Sequence, residues 1–231
     1  MDRAEAFEKP SEIADDPRGQ RLRLTEIFHS LQGESVHAGL RTVFVRLTGC
    51  PLRCTYCDTA YAFHGGDWWR FDDIVAEIRQ HGTPYVCVTG GEPLAQKNCV
   101  VFMQRLVDEG YDVSLETSGA MDLAAVPAGV LKVMDIKTPD SGEDSRNRWE
   151  NLLHLGSRDQ LKFVIGSRAD YEWSRQQLAE RQLAERCGVL FSPSWGKQDP
   201  AELADWVIAD KLPVRVQLQL HKVLWGEEPG R

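Results

Sequence analysis

In "TVFVRLT" (42–48), Val43, Val45 and Leu47 fall on one face while Phe44, Arg46 and Thr48 fall on the other. A period of two is the mark of a strand with one buried side. Similar β-branched runs predict strands over 42–49, 85–91, 112–119, 131–138, 161–166, 188–195 and 214–222. Helical periods lie between several of them, over 71–81, 100–109, 146–155, 170–186 and 200–211. "FDDIVAEIRQ" sets Ile74, Val75 and Ile78 on one face, and Pro200 opens a helix at a first-turn position. Alternating strands and helices predict βα units and a parallel sheet, an α/β fold. There are too few units for an eight-stranded barrel, so an incomplete barrel with flanking strands is expected. Many strands end in polar or glycine residues, as in "LTGC", "VTGGEP", "LETSG", "DIKTPD" and "SPSWG". Ligands of such folds bind at the C-terminal ends of strands, so chemistry is expected at one mouth.

The 231 residues, 42% of them hydrophobic, suffice for one sizeable core. The expectation is a single domain over 22–231 behind a flexible extension over 1–21, which is polar and lacks the apolar stretch of a signal peptide. Apolar runs are of strand length, which predicts no membrane span. A net charge of −8 without a basic cluster argues against direct nucleic-acid binding. A cytoplasmic protein is expected. Its six cysteines then point to metal or redox chemistry and not to a disulfide framework.

Cys50, Cys54 and Cys57 form a C-x3-C-x2-C loop; Cys87, Cys99 and Cys187 stand alone and read as packing residues. A structural zinc site wants four ligands, and no second pair is present. A 4Fe–4S cluster held by three thiolates keeps one iron open for an outside ligand. The triplet alone leaves both metals open, and with zinc a binding module without catalysis.

The loop resembles the cluster-binding loop of the radical S-adenosylmethionine (SAM) enzymes, and "TGGEP" (89–93) resembles their SAM amino-group motif. The resemblance implies a (β/α)6-type partial barrel in which SAM binds the open iron of a 4Fe–4S cluster. Reduction cleaves SAM there to a 5′-deoxyadenosyl radical that abstracts hydrogen from a substrate. "FHSLQGES" and "VFVRLTGC", then "CDT", "LETSG" and "QLQLHK", are similar to the 7-carboxy-7-deazaguanine synthase family from residue 22 to about 225. A glycyl-radical activating enzyme shares the cysteine loop but has no reason to carry "SLQGE" and the distal "QLHK".

That family resemblance implies a lyase of queuosine and deazapurine biosynthesis. It rearranges 6-carboxy-5,6,7,8-tetrahydropterin to 7-carboxy-7-deazaguanine with loss of ammonia. It implies one 4Fe–4S cluster on Cys50, Cys54 and Cys57, SAM, Mg2+ on Thr59, a low-potential electron donor such as a flavodoxin, and a homodimer. Substrate would meet Leu31, Gln32, Gly33, Glu34, Arg46, Thr89 and His221. SAM would meet Tyr56, Cys57, Asp58, Gly91, Glu92, Glu116, the segment Asp135, Ile136 and Lys137, and the segment Ser192, Pro193, Ser194 and Trp195. No protein radical or general base is implied. The chemistry of several residues agrees. A guanidinium at Arg46 can fork onto a carboxylate, and a Thr59 hydroxyl is a hard oxygen suited to Mg2+. The bland alternatives are a surface ion pair for Arg46, a helix cap for Thr59 and a solvated edge-strand face for Arg215, Gln217, Gln219 and His221. The chain departs from the family at Asp135-Ile136-Lys137, where Ser-Pro-Lys is usual, at "SPSW", where Gln-Pro is usual, and at Ser35, where glycine is usual.

Overall fold

The alternation "RLRL" that opens the ordered chain buries Leu22 and Leu24 and exposes Arg21 and Arg23. A computed structural model describes residues 20–228 and 230. The expected N-terminal extension lies outside the described residues up to residue 19, and its last residue, Arg21, already pairs in the sheet. The strands are β1 (Arg21–Leu31), β2 (Arg41–Leu47), β3 (Asp67–Arg70), β4 (Tyr85–Gly90), β5 (Asp112–Thr117), β6 (Leu131–Ile136), β7 (Gln160–Ile165), β8 (Gly188–Pro193) and β9 (Arg215–Val216). They form one sheet in the order β3-β1-β2-β4-β5-β6-β7-β8-β9. β1 runs antiparallel to both β2 and β3, whereas β2 and β4 through β9 are parallel. Among the described residues β3 and β9 do not pair, so the sheet is an open α/β curve and not a closed barrel.

The helices α1 (Phe71–Gln80), α2 (Asn98–Asp108), α3 (Arg168–Glu180) and α4 (Pro200–Ala209) fall where the helical periods place them. α1 and α2 each bury an apolar stripe, Ile74, Val75 and Ile78 on α1 and Phe102, Met103 and Leu106 on α2, whereas α3 buries Tyr171 and Leu178 with Asp170, Ser174 and Gln177. The inner parallel strands are covered on both faces, so Val86, Cys87 and Val88 are all fully buried in β4. Cys87 and Cys99 are at 0% exposure and Cys187 at 7%, packed in the core.

Five segments differ from the sequence expectation. β1 and β3 lie before or outside the runs that read as strands. Residues 146–155 form two short 3-10 turns, Asp144–Arg146 and Trp149–His154, and no α-helix. The reason is Asn151, whose side chain accepts from Leu123 N and donates to the Gly119 and Met121 carbonyls, tying the segment to the loop after β5. The helix expected to 186 stops at Glu180, and Gln182 then takes φ 51°. The strand expected over 214–222 ends at Val216. Gln217 leaves the sheet by exchanging two hydrogen bonds with the Ser35 backbone, at 2.6 and 2.9 Å. Leu220 N donates to Gly33 O, and Leu220–Trp225 winds into a short helix, α5. His221 is therefore carried on a helix laid over the β1–β2 loop, and not on an edge strand.

Candidate functional site

The parallel strands all deliver their C-terminal ends to one side, and a cavity of about 750 Å³ opens there. That lies within the range of small-molecule sites. β2 leads into the loop that carries Cys50, Cys54 and Cys57, all three half-buried, free and lining this cavity. The loop folds tightly because its neighbours are glycines. A Cβ on Gly91 would sit 2.2 Å from Gly49 O, and one on Gly90 would sit 2.4 Å from Leu47 O. Only glycine allows the turn after β4 to lie against the cysteine loop.

Burial pushes the Cys50 thiol up, and the Cys54 thiol up to about 11. These thiols are not reactive by themselves, and they become ligands when a metal displaces their protons. Among the described residues no three His, Cys, Asp or Glu side chains converge closely enough to hold a single metal ion. Three half-buried thiols lining one cavity without a fourth cysteine beside them, among the described residues, would suit a cluster held by three thiolates. Lys137, which lines the same cavity, supplies positive charge that acts on both Cys50 and Cys54.

Next to the cysteines, Asp135 pairs with Lys137 at 2.8 Å through Oδ2, while its Oδ1 is buried and has no hydrogen-bond partner. An unpartnered buried acceptor on a cavity wall is costly unless a donor-bearing ligand meets it. Thr59 lines the same cavity, and its Oγ1 donates to Asp58 Oδ1 at 2.8 Å, which leaves the hydroxyl lone pairs available to a hard cation. Asp58 in turn accepts from Lys222 at 2.6 Å. Burial raises the Asp58 carboxyl, but Lys222 and the Thr59 hydrogen bond outweigh it and bring it to about 2. This ion pair fastens α5 to the cysteine loop.

A second group lines the same cavity. Arg46 Nε donates to Glu26 Oε1 at 2.6 Å, and Tyr61 OH donates to the same oxygen at 2.7 Å. The Phe28 and Tyr61 rings flank the guanidinium at 5.4 and 5.9 Å. The side chain is thereby held in place while its terminal amino groups keep their donors. Gln32 donates to Glu116 Oε1 at 3.3 Å, and Thr89 Oγ1 to Oε2 at 3.4 Å. Burial, then the nearby Glu34, push the Glu116 carboxyl up. His221 packs on Gly33 so closely that a Cβ there would meet its Nδ1 at 1.9 Å, which explains the glycine.

The structure thus brings to one cavity Leu31, Gln32, Glu34, Arg46, Thr89 and His221 on the expected substrate side. The expected SAM residues Tyr56, Cys57, Asp58, Gly91, Glu116, Asp135, Lys137, Ser194 and Trp195 line it too. Others do not reach it. Glu92 is at 0% exposure, and its carboxylate accepts from Leu94 N, Ser118 N and the Thr117 and Ser118 hydroxyls. It caps the 3-10 turn Pro93–Ala95 and ties it to the end of β5, with its lone pairs filled. Ile136, Ser192 and Pro193 are buried in the sheet layer, and Gly33 supplies space and a backbone acceptor.

A radical SAM superfamily model matches residues 44–135. A Koribacter versatilis protein named 7-carboxy-7-deazaguanine synthase is 45% identical over 222 residues, spanning 90% of this chain and 98% of the relative. A Chlorobaculum tepidum protein of the same name is 40% identical, spanning 90% and 96%. The chain belongs to the 7-carboxy-7-deazaguanine synthase family. The crystal structure of QueE from Escherichia coli has the same fold, with a TM-score of 0.75 at 22% identity over 92% of this chain and all of that one. The family assignment agrees with the resemblance read from the cysteine loop, "TGGEP" and "SLQGES".

Sequence reasoning missed Glu26, Tyr61, Lys162, Gln219 and Lys222. Glu26 meets Arg46 because β1 pairs with β2 and sets the two opposite each other, and Tyr61 reaches them from the 3-10 turn Ala60–Phe63. An earlier start for the first strand would have found Glu26. Lys162 alternates with apolar residues in "LKFVIG" and so reads as a solvent-facing position. In the folded chain it is 13% exposed and lines the cavity. Among the described residues no helix is long and apolar enough to cross a membrane.

Proposed function

We propose that this chain is a radical SAM carbon–nitrogen lyase that contracts 6-carboxy-5,6,7,8-tetrahydropterin to 7-carboxy-7-deazaguanine with release of ammonia. The observation that carries this reading is one cavity lined by two differently equipped sets of residues. One set is the three free thiols with Lys137 and Asp135, and the other is Arg46, Glu34, Gln32 and His221. The relatives named 7-carboxy-7-deazaguanine synthase support this reading.

Cys50, Cys54 and Cys57 would hold the 4Fe–4S cluster, and Gly91, Asp135 and Lys137 would hold SAM beside it. When bound, the cluster and SAM supply a reducing electron and a carbon radical. The chain's own part is orientation. Arg46, fixed by Glu26 and the two rings, takes the substrate carboxylate on its terminal amino groups. That anchors the pterin carbon bearing the carboxylate, and a reacting C–H bond gains most of its rate from such placement. Glu34 and Gln32 take the donors and acceptors of the ring. Thr59 would give Mg2+ a hard protein oxygen at the cavity wall. The working unit we infer is a cytoplasmic homodimer fed by a flavodoxin-type donor.

The test is an anaerobic assay of cluster-loaded protein with SAM, reductant, Mg2+ and the carboxytetrahydropterin, read by mass spectrometry. The expected product is 7-carboxy-7-deazaguanine with one ammonia released per turnover. SAM cleavage with unchanged pterin would refute the assignment.

A further inference from the structure

Lys162 on β7 donates from Nζ to Glu34 Oε2 at 2.6 Å. Gln219 Nε2 donates to the other oxygen, Oε1, at 2.8 Å. Three stretches far apart in the chain therefore meet at one carboxylate: the β1–β2 loop, β7 and the approach to α5. Glu34 and Lys162 are 8% and 13% exposed, and both line the cavity. An ion pair buried this deeply gains little stability over apolar residues of the same size. Its placement on a cavity wall calls for another reason. Each carboxylate oxygen has two lone pairs, so one on each remains after Lys162 and Gln219 are served.

We propose that Lys162 is a positioning residue for Glu34, holding it as an anion whose two remaining lone pairs face a ligand edge with paired N–H donors. The aminopyrimidine edge of a pterin is such an edge, so this inference rests on the function proposed above. The electrostatics agree with the geometry. Burial alone would raise the Glu34 carboxyl, yet Lys162, then Gln219 and His221, hold it below its ordinary value. The titratable groups facing Glu34 are Lys162 on β7, His221 on α5 and Glu116 on β5. Burial keeps His221 below its ordinary value. Glu116, pushed up by burial and by Glu34, is the carboxyl that takes a proton first.

The experiment uses full-length, cluster-loaded protein under anaerobic conditions. Dissociation constants are measured separately for SAM and for the carboxytetrahydropterin in wild type, Lys162→Met, Lys162→Arg, Glu34→Gln and the double variant Glu34→Gln/Lys162→Met. The expected result for Lys162→Met near pH 7 is a loss of about tenfold to a hundredfold in pterin affinity, with SAM affinity and cluster absorbance unchanged. Without Lys162 the Glu34 carboxyl rises, so part of the loss should be recovered by about pH 9, where Glu34 ionises again. Lys162→Arg keeps the cation and should stay within about threefold of wild type. In the Glu34→Gln background, Lys162→Met should add little. Unchanged pterin affinity in Lys162→Met would overturn the proposal. So would a loss equal at both pH values, or a full additional loss in the double variant, since each makes Lys162 a direct ligand contact. Should Lys162→Met fail to fold, the double variant, which buries no lone charge, carries the comparison against Glu34→Gln. If the wild type binds SAM but no pterin, the proposed function fails first and this assignment with it.

Discussion

Lys132 and Lys162 are both largely buried lysines paired with a carboxylate, one at the N-terminal end of β6 and one midway along β7, where it lines the cavity. Lys132 Nζ meets Asp159 Oδ2 at 3.0 Å, and the backbone N–H groups of Lys132 and Gly156 fill the same carboxylate at 2.8 Å each. Every donor comes from the turn that leads into β7 or from the start of the neighbouring β6. Asp159 is a local staple, closed on itself and away from the cavity. Glu34 takes its two donors from remote parts of the chain and keeps lone pairs over the cavity. Two pairs of the same chemical kind thus serve different ends. A closed set of hydrogen bonds fixes a turn, while an open one leaves capacity for a ligand. The same contrast separates Glu92, whose carboxylate is filled by four groups, from Asp135, whose Oδ1 is buried and unpartnered.

The largest expected effect breaks the open end altogether. Replacing Cys50, Cys54 or Cys57 by Ala should abolish the broad absorption near ~400 nm and most of the bound iron. The same change at Cys87, Cys99 or Cys187 should leave the cluster intact and cost about 1–3 kcal/mol of packing at most. Iron content and chemical denaturation separate the two groups. Wild-type iron in all three loop variants would remove the cluster from that loop.

Asp159→Ala tests the closed end. It strands a buried ammonium and two backbone N–H groups, so unfolding free energy should fall by about 3–5 kcal/mol. Pterin and SAM affinities of the protein that remains folded should not move. Arg46→Ala is the counterpart at the open end. Substrate interaction should weaken by roughly 3–5 kcal/mol, because the carboxylate then lies desolvated without its partner. Arg46→Lys keeps the charge but loses the fork and should recover only part of this. Calorimetric titration and a denaturation curve on each variant give the crossed comparison. Equal effects of Asp159→Ala on stability and on pterin binding would erase the distinction between the ends.

What was legible in the sequence follows the same division. β2 and the inner strands β4 through β8 could be read because covered parallel strands are near-continuous apolar runs, as in "YVCVT" and "LKFVIG". The cysteine loop and "TGGEP" could be read because their chemistry is local. Lys162, Glu26 and Gln219 could not, since an alternating polar residue looks the same whether its partner is water or a distant side chain. The C-terminal segment misled for that reason. Gln217, Gln219 and His221 alternate like a solvated strand face, but the first two bond with Ser35 and Glu34, and the chain turns into α5.

A smaller effect is expected at Thr59. Thr59→Ala removes one oxygen ligand and leaves the cluster loop in place. Mg2+ titrations of turnover should shift to higher concentration, with uncoupled SAM cleavage unchanged. An identical titration in the variant would take Thr59 out of the metal site.

The smallest effect is expected at Ser35. Ser35 holds φ 64°, the left-handed region that costs a side-chain-bearing residue about 1 kcal/mol. It is kept there by Gln217, which bonds its backbone N–H and C=O and not its hydroxyl. Ser35→Gly removes the strain but also frees the unfolded chain, which offsets about 0.4–1 kcal/mol. It further loses the hydroxyl's hydrogen bond from His37 N at 3.2 Å. The terms nearly cancel, so unfolding free energy should change by no more than about 1 kcal/mol in either direction. Pterin affinity should also hold, because the backbone contacts that place Gln217 beside Glu34 and Gln219 survive the change. Gln217→Ala is the sharper partner of this test. It removes both backbone contacts, frees the segment before α5, and should weaken pterin binding while sparing SAM. A large loss in Ser35→Gly together with none in Gln217→Ala would show that the hydroxyl, and not the backbone of the loop, holds the open end of the cavity in shape.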